Sequence, residues 1–103
     1  MIRHVVLLRW TPESTPEQHR AVLDQLSALP TAIPEIHRYR LGEDLGLADG
    51  NASLSVIADF ASGADYETYR DHAEHQRVIA EHIKPILAGR SALQYEYDPA
   101  DDG

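Results

Sequence analysis

Cysteine is missing from the 103-residue sequence. Its absence excludes disulfide frameworks, thiolate metal sites and cysteine nucleophiles together, and it fits a reducing compartment, the cytoplasm. Basic residues are few: nine Lys and Arg stand against 17 Asp and Glu, a formal charge of −8. Nucleic acid and anionic membranes both need a basic footprint, so neither is expected as a partner. No apolar run approaches the roughly 18 residues of a membrane span, and Met1-Ile2-Arg3-His4 lacks a signal peptide's long apolar region. No glycine-rich phosphate loop follows a strand, and neither a GxSxG elbow nor an HExxH zinc motif is present. What remains is a soluble intracellular chain with no evident cofactor motif.

The length suits one domain with a modest core. It is expected to span 1–97, with 98–103 (DPADDG) an acidic, disordered tail. Ile2 to Trp10 (IRHVVLLRW) is β-branched and apolar, closed by Thr11-Pro12, and predicts a first strand. Alternation puts Ile2, His4, Val6, Leu8 and Trp10 on one face and Arg3, Val5, Leu7 and Arg9 on the other. Both faces carry apolar side chains. The helices of so small a protein cover one face of a sheet, so the second apolar face predicts a partner subunit, a homodimer.

Thr15-Pro16-Glu17-Gln18 has the order of a capping box with proline at the first helical position. The helix it opens is expected to reach about Leu29, with Val22, Leu23, Leu26 and Leu29 buried and Pro30 and Pro34 as stops. His19, in its first turn, reads as solvated. Ile36 to Leu41 predicts a second strand with His37, Tyr39 and Leu41 sharing a face. A loop with the turn signal Asp49-Gly50-Asn51 leads to a third strand, Ala52 to Phe60. Ser91 to Tyr97 predicts a fourth, with Leu93, Tyr95 and Tyr97 on one face.

Between the third and fourth strands, Asp65 to Leu87 predicts a helix with histidines on its buried side. His75, Val78, Ile79, His82, Ile83 and Ile86 follow helical spacing, while Glu74, Gln76, Arg77, Glu81 and Lys84 face water. Asp71-His72-Ala73-Glu74 has capping-box spacing, which predicts a restart near His72. The order βαββαβ predicts an α+β, ferredoxin-like fold in which two helices cover one face of a four-stranded antiparallel sheet.

The opening strand, Ile33-Pro34, Asp59-Phe60 leading into Tyr69-Arg70-Asp71-His72-Ala73-Glu74-His75, and Ile83-Lys84-Pro85-Ile86 occur in an order that resembles the stress-responsive A/B-barrel family over almost the whole chain. Ala73 stands where the family's HxxH motif usually has proline. The resemblance implies a homodimer whose two sheets face each other as a dimeric α/β barrel. The family's best-understood enzymes are polyketide cyclases of the olivetolic acid type, with a pocket between sheet and helices. By motif position their first-strand histidine corresponds to His4, their second motif histidine to His75, and the preceding tyrosine to Tyr69. Their first-helix tyrosine has no counterpart in EQHRAVLDQLSAL.

A neutral imidazole in a partly apolar pocket takes a proton from an acidic carbon or hydroxyl near neutral pH. Intramolecular aldol chemistry needs such a base, a donor for the developing oxyanion and a pocket that folds the substrate. His75 is the candidate base, His4 and Tyr69 its candidate partners, and His72, Val78, Ile79 and Trp10 candidate substrate contacts. The plainer alternative is that His75 and His82 are satisfied core histidines. His72 and His75 at i, i+3 could share a metal together with Asp71, but the sequence fixes no third ligand, so no metal is assigned. The expected ligand is a small apolar or aromatic molecule. The reading is a cofactor-independent cyclase or lyase; a non-catalytic ligand-binding or stress-response barrel and a cofactor-free monooxygenase are the alternatives.

Overall fold

Strand β1 (Ile2–Trp10) lies inside the sheet, flanked by β3 (Leu54–Phe60) on one side and β4 (Leu87–Glu96) on the other, with β2 (Arg38–Glu43) beyond β3. All three pairings are antiparallel, so the computed structural model, which describes residues 1–101, has the predicted ferredoxin-like βαββαβ architecture. Alternation along β1 holds: His4, Val6 and Leu8 are buried, whereas Leu7 and Arg9 are exposed.

On the covered face, α1 (Pro16–Ser27) sends Val22 and Leu26 into a core shared with Val6, Leu8, Leu54, Val56 and Phe60. Its start is the predicted capping box: the Gln18 backbone N–H donates to Thr15 Oγ1 at 3.2 Å, and Gln18 Oε1 accepts from the Thr15 backbone N–H at 2.9 Å. Pro30 does not act as a stop. It sits in the first turn of a short second helix, α2 (Leu29–Ala32), where a missing N–H costs nothing.

The 65–87 segment is not one helix. Helix α3 (Gly63–Asp71) ends at His72, whose φ of −62° and ψ of 136° are extended, and α4 (Ala73–Val78) starts immediately after it. The restart is where the sequence put it, but the cap differs: His72 Nδ1, not the Asp71 carboxylate, accepts the Glu74 backbone N–H at 3.1 Å. A π-helical turn (Ile79–Ile83) and a 3₁₀ turn (Lys84–Ile86) follow. Pro85 lacks the N–H that would continue an α-ladder, and the wider turn, with the Lys84 N–H donating to the Ile79 carbonyl, carries the chain up to it.

The strands also differ at their ends. β2 starts at Arg38, so His37 precedes it, exposed, with only its backbone N–H tied to the Asp59 carbonyl. β4 starts at Leu87, four residues ahead of expectation, because Gly89 pairs with Arg9 within the ladder and does not break it. In the expected tail, Pro99–Asp101 forms a 3₁₀ turn with Asp98 Oδ1 accepting the Ala100 N–H; Asp102 and Gly103 lie outside the described residues.

Among the described residues no helix covers the opposite face of the sheet. Register places Val5, Ile57 and Leu93 side by side there, next to Leu7 and Tyr95. Leu93 is 57% and Tyr95 44% exposed. The end of this face is closed by Asp59, fully buried, whose carboxylate takes two bonds from the Arg3 guanidinium (2.8 and 2.9 Å) and one from the Tyr97 hydroxyl (2.6 Å). Burial opposes the charge of Asp59, but the Arg3 and Tyr97 bonds outweigh it and hold the carboxyl below its ordinary range.

Candidate functional site

Between the sheet and the helices lies a cavity of about 300 Å³, the lower end of the range of about 300–1,000 Å³ usual for small-molecule sites. Its floor is β1, with His4, Val6 and Leu8; Tyr69 comes from α3, His75 from α4, and Ile79 and Ile83 from the π-turn. The structure thus brings together His4, Tyr69, His75 and Ile79. The tyrosine and histidine rings are in contact, with centroids 4.1 Å apart for Tyr69 and His75, 6.2 Å for His4 and Tyr69, and 4.9 Å for His4 and Tyr66.

Each imidazole has one nitrogen committed. His75 Nδ1 lies 3.0 Å from the Arg70 carbonyl oxygen, which only accepts, so Nδ1 carries the proton and Nε2 keeps its lone pair. His4 Nδ1 lies 2.7 Å from the Gln94 amide nitrogen, which donates, so this ring carries its proton on Nε2. The two rings are opposite tautomers. Burial, then the charges of Arg90 and His75, lowers the His4 pKa to about 4. Burial also lowers that of His75; the bond to Arg70 opposes this in part, and the Arg90 and His72 charges add to it. Both rings are neutral at physiological pH.

The hydroxyls of Tyr69 and Tyr39 are 3.1 Å apart. Burial pushes the Tyr69 phenol up to about 12, a rise that the Tyr39 hydrogen bond moderates, and burial raises Tyr39 as well. Both phenols therefore stay protonated and can donate.

Three expected contacts lie elsewhere. Val78 is fully buried in the core and does not line the cavity, because on α4 it lies to one side of His75, towards the core, while Ile79 lies to the other, towards the cavity. His72 is held by its capping bond at the α3–α4 break. Trp10 is six residues along β1 from His4, about 20 Å, and stacks on His19 with ring centroids 5.9 Å apart. His19 is half-buried and bonded to Ser14 Oγ at 2.7 Å, not simply solvated as expected; it too is outside the cavity. Among the described residues no group of three or more His, Cys, Asp or Glu could hold a metal.

Gln94, Tyr39 and Arg90 were missed as site residues. The signal for Gln94 and Arg90 is register: they pair with His4 and Leu8, so polar side chains occupy inward positions of β4. Tyr39 carries no signal beyond its face of β2.

The sequence matches the profile of the Stress responsive A/B Barrel Domain over residues 2–97. A dimeric ferredoxin-like protein of unknown function from Thermobifida fusca YX is 44% identical, with a TM-score of 0.85 over 93% of this chain and 90% of that one. The hydroxynitrile lyase of Passiflora edulis is 20% identical, with a TM-score of 0.82 over 95% of this chain and 94% of its own. An antibiotic biosynthesis monooxygenase is 12% identical, with a TM-score of 0.77 over 96% of this chain and 100% of that one. At such identities the last two share the fold alone. No curated protein sequence matches the chain.

Proposed function

Starting from the chain's membership of the stress responsive A/B barrel domain family, as the match over residues 2–97 requires, we propose that it is a homodimeric, cofactor-independent cyclase or lyase. Its substrate is a polyketide-like or aromatic small molecule, and His75 is its general base. The observation that carries the proposal is the bond from His75 Nδ1–H to the Arg70 carbonyl, which holds the Nε2 lone pair in the tautomer a base needs.

The chemistry follows from the neighbours. Nε2 of His75 takes a proton from an acidic carbon, and the enolate oxygen that develops accepts from His4 Nε2–H or the Tyr69 hydroxyl. Burial and the Arg90 charge disfavour the imidazolium so formed, which favours return of the proton to the product oxygen or carbon. The dimer is supported by the exposed strip of Leu7, Leu93 and Tyr95 beside half-buried Val5 on the sheet's uncovered face, which a second sheet would cover.

His75→Gln and His75→Ala compared with wild type, with melting temperature and turnover of β-polyketone chains measured together, test the base. Loss of about 10²–10⁴-fold in kcat at near-normal stability is expected. Unchanged turnover in a folded variant removes His75 from the mechanism.

A further inference from the structure

The charges around the cavity are one-sided. Arg70, Lys84 and Arg90 line it, three of the chain's nine basic residues, and among the described residues no acidic one does. Arg70 is neutralised by Asp71, which accepts from its Nε and Nη2 at 2.9 and 3.0 Å. The side chains of Lys84 and Arg90 are exposed and make no hydrogen bond or ion pair among the described residues. Lys84 is in the 3₁₀ turn that leads into β4, and Arg90 is opposite Leu8 on that strand, so both belong to the edge where the cavity meets solvent.

A net charge of −8 repels anions at long range, so two unpaired cations beside an apolar cavity are a local inversion of the molecule's field. The interior beyond them is aliphatic, with Val6, Leu8, Leu26, Val56, Ile79 and Ile83. We propose that the ligand is a carboxylic acid with an apolar or aromatic body, its carboxylate held at the mouth by Arg90 and Lys84 and its body reaching His4 and His75. This rests on the cavity being the substrate site and adds the substrate's charge.

The arrangement suits a singly charged head. A guanidinium binds a carboxylate through two parallel hydrogen bonds, and at the mouth the anion keeps part of its hydration, so desolvation costs less than in the interior. The Arg90 charge already reaches both imidazoles. A carboxylate beside Arg90 offsets that charge, so acid binding should raise the titration midpoints of both histidines.

Calorimetric titration of the full chain with para-butylbenzoate, para-butylbenzamide and para-butylphenyl phosphate tests this. The acid should bind at least about tenfold more tightly than the amide, and salt should weaken the acid alone. Arg90→Gln and Lys84→Gln should each shrink the ratio, weakening the acid more than the amide; an unchanged ratio in both overturns the anion site. Equal binding of acid and amide overturns the anion site and leaves the apolar cavity and its chemistry standing. Tighter binding of the phosphate overturns the choice of carboxylate. Binding of none overturns both the anion site and the ligand cavity. If the acid pattern holds while His75→Gln keeps full turnover, the base assignment fails and the anion site stands.

Discussion

His4 shows how one side chain is given its properties by three elements. β1 turns it inward, β4 supplies the Gln94 amide for Nδ1, and α3 supplies the tyrosine rings beside it. Burial depresses its pKa from 6.5 to about 4. Between those values the unfolded chain holds a proton that the folded chain does not, so stability rises with pH across the window. It is lost as the pH falls from about 6.5 towards 4, by roughly 3 kcal/mol. His75, depressed in the same direction, adds to the slope. Asp59 acts separately: its carboxyl, held low, stabilises the fold above the ordinary carboxylate range and loses that contribution only in stronger acid. Urea unfolding at several pH values should show the His4 slope, and His4→Gln should flatten it to the part that His75 supplies. An unchanged slope would mean that His4 titrates normally.

At the scale of elements, the break at His72 separates two histidines that sequence spacing had placed on neighbouring turns. The imidazole of His72 is the N-cap of α4, a position where asparagine is a good substitute and alanine is not. His72→Ala should cost about 1 kcal/mol in urea unfolding, and His72→Asn much less. Neither should change ligand affinity, since His72 does not line the cavity. A fall in affinity in the folded His72→Asn variant would return the residue to the site. The π-turn has the opposite effect on its residues: it keeps Ile79 and Ile83 on the cavity wall while Val78 stays in the core.

For the molecule as a whole, the unbalanced feature is the sheet. One face is buried under helices; the other exposes Leu7, Leu93 and Tyr95 beside Val5 and Ile57, and is bounded by the Arg3–Asp59–Tyr97 cluster. A second copy laid on this face would exclude water from an apolar strip that no segment of the described chain covers. Light scattering at micromolar concentration should give twice the chain mass, and Val5→Asp should give a poorly soluble monomer. A monomeric wild-type protein would remove the barrel. The cavity lies on the other side of the sheet, so the variant also reports whether the site works without its partner.

The sequence alone determined the strand and helix order, the inward face of β1 with His4 on it, the capping box at Thr15 and the restart near His72. Each depends on near neighbours along the chain: side-chain alternation, a capping residue, a proline. It also pointed His75 and Ile79 to the same side, the one that lines the cavity, because helical periodicity holds over the single turn between them. Tertiary structure decided what periodicity could not carry further. Packing on the core decided which flank of the helical stripe meets the cavity, Ile79 and not Val78, and the β1–β4 register brought Gln94 to His4 and Arg90 to the mouth across more than 80 residues of chain. The tautomer of His4 came from Gln94, a partner 90 residues away, and that of His75 from the Arg70 carbonyl, which the break between α3 and α4 brings to Nδ1. Proton placement follows hydrogen-bond partners in space, and local sequence does not specify them.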